Sequence, residues 1–315
     1  MKTILAFFRL VRWPNLVMIT LTQVLFYIAL VHPFYFTNEN IYNSFKGIHF
    51  LLLIISTLLI AAAGNIINDY FDINIDEINK PKKRVIDKFI KRRWAIMLHI
   101  LFSIAGVLIG FYIDFQTPVF WLGLSNFGCV LLLFGYSISL KKKLLVGNIL
   151  ISLLTAWVVL VCFLVYYRSL NCPACEPYFW QAYLNRFIRI SFLYTGFAFV
   201  TSLIREVIKD MEDMDGDDRY GCETMPLTWG VPATKVFVAV WLVVLIGMIG
   251  IVQFYILQLG WYWSALYCIT LIILPLVWIL RRLFTAQVST DYHRLSNAIK
   301  LVMLMGMLSL LFFKI

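Results

Sequence analysis

An all-α polytopic membrane protein, a bundle of about nine transmembrane helices with its active-site loops on the cytoplasmic side, is what this sequence predicts, and three observations predict it. Of 315 residues, 62% are hydrophobic and 14% charged, where an average soluble domain carries about 25% charged residues. Apolar runs of about 20 residues, the length that crosses ~30 Å of hydrocarbon, recur along the whole chain and give a mean hydropathy of +0.84. Lysine and arginine gather on alternate connections between those runs. A single domain over residues 1–315 is expected.

The first run, 15–34, follows Arg9-Leu10-Val11-Arg12-Trp13-Pro14-Asn15, where Pro14 suits a first helical turn and Trp13 an interface. Lys2, Arg9 and Arg12 mimic a secretory leader, but the run is as long as a full span and no A-x-A-like site follows, so it is expected to be retained. Further spans are expected at 48–68, 94–113, 118–138, 145–166, 188–208, 233–255, 260–281 and 295–313. Pro33 and Pro118 fall at span ends, whereas Pro275 lies inside the eighth and should kink it.

With the N-terminus in the cytoplasm, only Lys46, Arg168, Arg186, Arg189 and Lys314 of the 27 basic residues lie on the far side. The net charge of +10 therefore reads as topology plus attraction to anionic headgroups or phosphorylated substrates, and not as a nucleic-acid surface. The default location is the plasma membrane of a prokaryote. Cys172 and Cys175 form a C-x-x-C on the far side without a second ligand pair, which suggests a local disulfide or two free thiols rather than zinc. His32, His49, His99 and His293 lack metal-ligand spacing and are expected to be structural.

Chemistry concentrates at the ends of the second and sixth spans. Asn68, Asp69, Asp72 and Asp76 follow one; Asp210, Asp213 and Asp217 follow the other, 141 residues later with the same i, i+3, i+7 spacing. On a continuous helix each trio shares one face. Topology places both trios on the cytoplasmic side, and like charges so close need a cation, so one shared metal site is expected. Carboxylates with an amide, and no cysteine or histidine among them, suit Mg²⁺, which takes its remaining ligands from water and substrate phosphates. Lys80, Arg84, Lys141, Arg205, Lys209 and Arg12 are the basic residues placed to hold a diphosphate, with Glu206 as a conceivable proton acceptor. Beside an apolar bilayer cavity, such a site favours heterolysis of an allylic diphosphate.

Asn68-Asp69-Tyr70-Phe71-Asp72-x-x-x-Asp76-x-x-Asn79-Lys80-Pro81 resembles the first signature of the UbiA-type intramembrane prenyltransferases, and Asp210-x-x-Asp213-x-x-x-Asp217 resembles the second. The resemblance covers nearly the whole chain and implies a single UbiA-like prenyltransferase domain. It implies Mg²⁺-diphosphate ligation by Asn68, Asp72, Asp76, Asp213 and Asp217, with Asp69 and Asp210 ligating or supporting. Asp72, Asp76, Asp213, Asp217, Lys209 and Arg205 are the catalytic candidates; Asn68, Lys80, Arg84, Lys141, Arg12 and Tyr136 are the diphosphate-binding ones. Arg205-Glu206-Val207-Ile208-Lys209-Asp210 followed by Gly221-Cys222-Glu223-Thr224-Met225-Pro226 is most similar to the digeranylgeranylglyceryl phosphate synthase branch. That branch implies a geranylgeranyl donor and geranylgeranylglyceryl phosphate as lipophilic acceptor. After Arg84 the chain departs from the family's usual Arg-Pro-x-Pro-Ser-Gly, reading Val85-Ile86-Asp87-Lys88. The alternative acceptor is an aromatic or quinone precursor of the 4-hydroxybenzoate, homogentisate, naphthoate or chlorin type. A transporter is more distant, because the charges are expected to stop at span ends. A CDP-alcohol phosphotransferase would need an Asp-Gly and Ala-Arg pattern that is missing.

Overall fold

The computed structural model describes residues 2–32, 42–79, 85–172 and 175–312. Eight of the described helices are long and apolar enough to cross a membrane, and Leu122–Ile138 is a shorter apolar one. The expected all-α bundle of about nine helices is therefore what the chain forms. It divides into two compact units, one of Met1–Lys141 and Val158–Arg189, the other of Lys142–Trp157 and Ile190–Lys314.

The first unit begins with α1 (Lys2–Leu10) and α2 (Trp13–Phe26), the latter prolonged by a π-helical turn over Tyr27–Val31. Arg12 joins them with φ 54° and ψ 54°, a left-handed conformation uncommon for a side chain of its size, and Pro14 starts α2 where no amide donor is missed. Then come α3 (Gly47–Phe71), α4 (Ile73–Asn79), α5 (Arg92–Gln116) and α6 (Leu122–Ile138). Lipid is as apolar as leucine, so α3, α5 and α6 associate through close backbone approach and shared polar groups. Gly106 and Gly110 on α5 supply the approach: a Cβ at Gly106 would stand 2.7 Å from Ile60, and one at Gly110 3.0 Å from Gly123 Cα. Ser56 Oγ donates to Gly106 O at 2.8 Å while Asn126 Nδ2 donates to Ser56 Oγ at 2.8 Å. Residues 42–43 (β1) pair antiparallel with residues 170–171 (β2), and Cys172 is disulfide-bonded to Cys175. This matches the structural reading of that cysteine pair.

The chain passes between the units along α7 (Val146–Ser169) and α8 (Pro177–Glu212). The second unit continues with α9 (Met214–Arg219), α10 (Gly230–Gln258), α11 (Tyr262–Cys268), α12 (Leu274–Thr285) and α13 (Ser289–Leu308). A π-helical turn at Ile269–Ile273 precedes Pro275, so the expected irregularity in the eighth span is real. Its core joins Leu203, Ile204 and Val207 of α8 to Leu242, Leu276, Ile299 and Val302.

Within this unit α13 runs antiparallel to α8 in a register fixed at both ends. Ser289 Oγ donates to Glu212 O at 2.9 Å and His293 Nδ1 lies 2.8 Å from Glu212 Oε1. Far along the pair, Tyr194 Oη and Ser309 Oγ lie 2.6 Å apart, and Gly306 meets Phe197. A Cβ at Gly306 would stand 2.2 Å from the Phe197 ring, whereas one at Gly247 would meet nothing within 4 Å. Gly306→Ala is thus expected to destabilise the fold by about 1–3 kcal/mol, read as a lower melting midpoint in detergent. Gly247→Ala, gaining helix propensity without a clash, should hold or raise it.

The span boundaries differ from expectation in an informative way. The sixth run was expected at 188–208, but its helix is Pro177–Glu212; the ninth was expected at 295–313, but its helix begins at Ser289. Charged and amide side chains end an apolar window although the backbone continues its helical hydrogen bonding past them. Lys300 stands apart from the expectation that charges stop at span ends: it lies inside the span-length helix Ser289–Phe312.

Candidate active site

In the first unit α3 delivers Asn65, Asn68 and Asp69 on its last turns, and Asp72 falls at the interruption between α3 and α4 with φ −90° and ψ 3°. The amide of Asp72 still reaches Asn68 O at 3.0 Å and that of Asp76 reaches Asp72 O at 2.8 Å. The expectation that Asp69, Asp72 and Asp76 share one face of a continuous helix is therefore corrected: the helix is interrupted at the central aspartate. Different cations then engage the first two. Arg12 Nη2 donates to Asp69 Oδ1 at 2.7 Å, and Asn65 Nδ2 holds the α1–α2 elbow through Val11 O at 3.1 Å. Asp69, with smaller contributions from Asp72 and Asp76, raises the Arg12 guanidinium further above its ordinary value, so Arg12 stays charged while it feels all three carboxylates. The Lys141 ammonium bonds Asp72 Oδ1 and lies 3.5 Å from Asn68 Oδ1, while Asn68 Nδ2 donates to Asp72 Oδ2 at 2.9 Å. Tyr136 is half-buried near the C-terminal end of α6. Lys80 and Arg84 lie outside the described residues.

The second unit repeats the device. Asp213 stands at the interruption between α8 and α9 with φ −101° and ψ 9°, its amide 2.9 Å from Lys209 O, and the amide of Asp217 reaches Asp213 O at 3.2 Å. Asp210, one turn earlier, accepts from Asn148 Nδ2 at 2.8 Å. Arg205 Nη1 and Lys209 Nζ each donate to one oxygen of Glu206, both at 2.8 Å. That geometry departs from the role of proton acceptor considered for Glu206. Each of its oxygens already accepts from a cation, so it acts as a strut that splays Arg205 and Lys209.

Chemically, the first motif offers hard oxygen donors, and the two oxygens of Asn68 and Asp72 already converge on a cation, the Lys141 ammonium. Among the described residues no three carboxylate, histidine or cysteine side chains gather into a metal cage. Hard oxygen donors of this kind are the ligands that Mg²⁺ takes, alongside water and phosphate. Sequence reasoning missed the partners of the aspartates. Asn148 and Arg12 are separated from Asp210 and Asp69 by 62 and 57 positions, and their signal was only that of a polar residue bordering an apolar run.

Comparison with known proteins gives this geometry its context. The model of the UbiA prenyltransferase family matches residues 24–304. A curated digeranylgeranylglyceryl phosphate synthase from Methanosphaera stadtmanae is 25% identical over 249 residues, covering 78% of this chain and 81% of that one. Relatives of the same description from other organisms are 28–33% identical, and those matches span 58–63% of the relatives' own length. A solved structure of a digeranylgeranylglyceryl phosphate synthase superposes with a TM-score of 0.65 at 22% identity, covering 100% of both chains. A UbiA homologue from Archaeoglobus fulgidus, solved with GPP and Mg²⁺, superposes with a TM-score of 0.53 at 14% identity over 97% of this chain and 99% of that one. Both structural likenesses establish the fold.

Proposed function

Because the chain belongs to the UbiA prenyltransferase family, matched over residues 24–304, we propose that it moves a geranylgeranyl group from its diphosphate to the free hydroxyl of geranylgeranylglyceryl phosphate. The observation that carries the metal-dependent part of this reading is the twice-used device of an aspartate at a helix interruption, Asp72 and Asp213, each with a second aspartate four residues on. The acceptor is supported by the description shared by the curated relatives.

Mg²⁺ would be held by Asn68, Asp72 and Asp76 in one motif and by Asp213 and Asp217 in the other, neutralising diphosphate oxygens as charge develops on them. The protein's own residues do the rest. Lys141 and Arg12 place positive charge beside the first motif, and Arg12 anchors Asp69 as an orienting group. Asn148 orients Asp210 in the same way. The bond between C1 of the prenyl chain and its bridging oxygen breaks, diphosphate leaves with the electron pair, and the allylic cation is captured by the acceptor oxygen, whose proton passes to the released diphosphate. Preorganised positive charge at the departing oxygens supplies most of the acceleration. Apolar helices around the prenyl chain would exclude water and so keep the cation from hydrolysis.

The chain is an integral multi-pass membrane protein. The basic-residue asymmetry supports a cytoplasmic N-terminus and cytoplasmic acidic motifs, and the Cys172–Cys175 disulfide in the opposite loop suits an oxidising far side.

Purified protein with geranylgeranyl diphosphate and Mg²⁺ is expected to transfer the chain to geranylgeranylglyceryl phosphate and not to 4-hydroxybenzoate, by product analysis. Transfer to the aromatic acceptor alone would replace this acceptor, and no Mg²⁺-dependent diphosphate release with several donors would remove the enzymatic reading.

A further inference from the structure

An ionisable side chain inside a membrane span is costly and marks function, and Lys300 lies inside the span-length helix Ser289–Phe312. The α8–α13 register locates it. Ser309 lies opposite Tyr194, Gly306 opposite Phe197, and Ser289 and His293 opposite Glu212, which sets Lys300 at the level of Leu203, beside Arg205. Arg205 and Lys209 are close enough to act on the Lys300 charge. Three cations thus converge inside one unit, Lys300 half-buried among them. Glu206 bonds two of them, one per oxygen. Arg205, while donating Nη1 to Glu206, keeps its Nε buried without a hydrogen-bond partner. A buried donor left so costs about 1–3 kcal/mol unless an acceptor arrives.

We propose that Arg205, Lys209 and Lys300 form the site for the phosphate monoester of the acceptor lipid; this rests on the prenyl-transfer reading above. The site is distinct from that of the departing diphosphate by depth and by composition. Arg205 precedes Asp213 by eight residues, about 12 Å along the helix at 1.5 Å per residue, so an anion gripped by Arg205 and Lys300 lies beyond a metal ion held at Asp213. Both oxygens of Glu206 are occupied by cations, so the cluster receives a bare anion. Its valence fits a phosphate monoester, whose three oxygens accept from three separate cations, where a carboxylate offers only two. Holding that phosphate one to two turns deeper than the carboxylates leaves room for the glycerol hydroxyl to reach C1 of the donor chain. Arg205 and Lys209 are thereby reassigned from the donor diphosphate to the acceptor.

The test compares wild type, Lys300→Met and Lys300→Arg in detergent, with geranylgeranylglyceryl phosphate and its dephosphorylated counterpart, geranylgeranylglycerol, as acceptors. The expected result has three parts. Lys300→Met raises KM for the phosphorylated acceptor at least about 10-fold, the effect of one charge-assisted contact; KM for geranylgeranyl diphosphate and turnover of the neutral acceptor stay as in wild type; and Lys300→Arg restores most of the loss. Inorganic phosphate should compete with the phosphorylated acceptor in wild type and lose that competition in Lys300→Met. A raised donor KM with the acceptor KM unmoved would overturn the assignment, as would equal losses on the two acceptors. If Lys300→Met melts early, Lys300→Gln carries the same comparison. Wild type inert toward both glycerols would overturn the acceptor reading and this site with it, whereas active wild type indifferent to Lys300→Met would overturn the site alone.

Discussion

Alanine at Asp72 or at Asp213 is expected to lower the rate of prenyl transfer by about 10³-fold or more, the upper range for removing a single group that stabilises developing charge. The argument starts from the backbone. Each aspartate occupies a helix interruption with nearly the same dihedral angles, φ −90° and ψ 3° against φ −101° and ψ 9°, and each receives the amide of the aspartate four residues later. Such a junction fixes the Cβ direction twice over, so the carboxylate is held at low entropic cost before any ligand arrives. Loss of the oxygens leaves Lys141, in the first case, without its anchor. Asp69→Ala should cost much less, about 10-fold, because that carboxylate positions Arg12 rather than meeting substrate. The measurement is kcat at saturating donor for the three variants, with melting curves as the control for fold. An Asp72→Ala or Asp213→Ala enzyme retaining a tenth of wild-type kcat would remove that aspartate from the diphosphate site.

Most of the architecture was legible because the bilayer imposes it: a helix must bury its own backbone hydrogen bonds, and about 20 apolar residues are the shortest way to do so. Boundaries were less legible. The sixth apolar window ends at 208, before Lys209, because hydropathy scores a charge as though it met lipid, while in the structure Glu206 pairs with both Arg205 and Lys209. The same error hid Lys300, which an expected span start at 295 placed near a membrane edge and a helix starting at Ser289 carries about three turns past its own start.

The acidic residues themselves were readable from spacing alone, but not their geometry. The intervals i, i+3 and i+7 fit one face of a helix equally well whether or not that helix continues, and it stops at Asp72 and again at Asp213. Nor could spacing reveal that Asp69 and Asp210 are engaged by Arg12 and Asn148, contacts made across 57 and 62 residues. What the two motifs share is therefore a division of labour. The first aspartate of each, tied to a side chain from another helix, steadies the second, which stands at the junction.

Removal of divalent metal should have an effect as large as loss of either junction aspartate: chelation is expected to reduce transfer by about 10³-fold or more, with activity restored by Mg²⁺ and not by monovalent salt. Lys141 gives this expectation a sharper form. Its ammonium bonds Asp72 and lies 3.5 Å from Asn68 Oδ1, the oxygens that would hold the metal, and two cations cannot share them without strong repulsion. A metal held by these oxygens would compete with the ammonium, which would leave Lys141 free to meet the diphosphate. Lys141→Met should accordingly tighten metal binding several-fold, measured directly by Mn²⁺ binding to the substrate-free protein, while raising KM for the prenyl diphosphate about 10-fold through the lost charge-assisted contact. An unchanged metal affinity would mean that the ammonium and the metal use different oxygens. A donor KM left as in wild type would confine Lys141 to holding Asp72 in place.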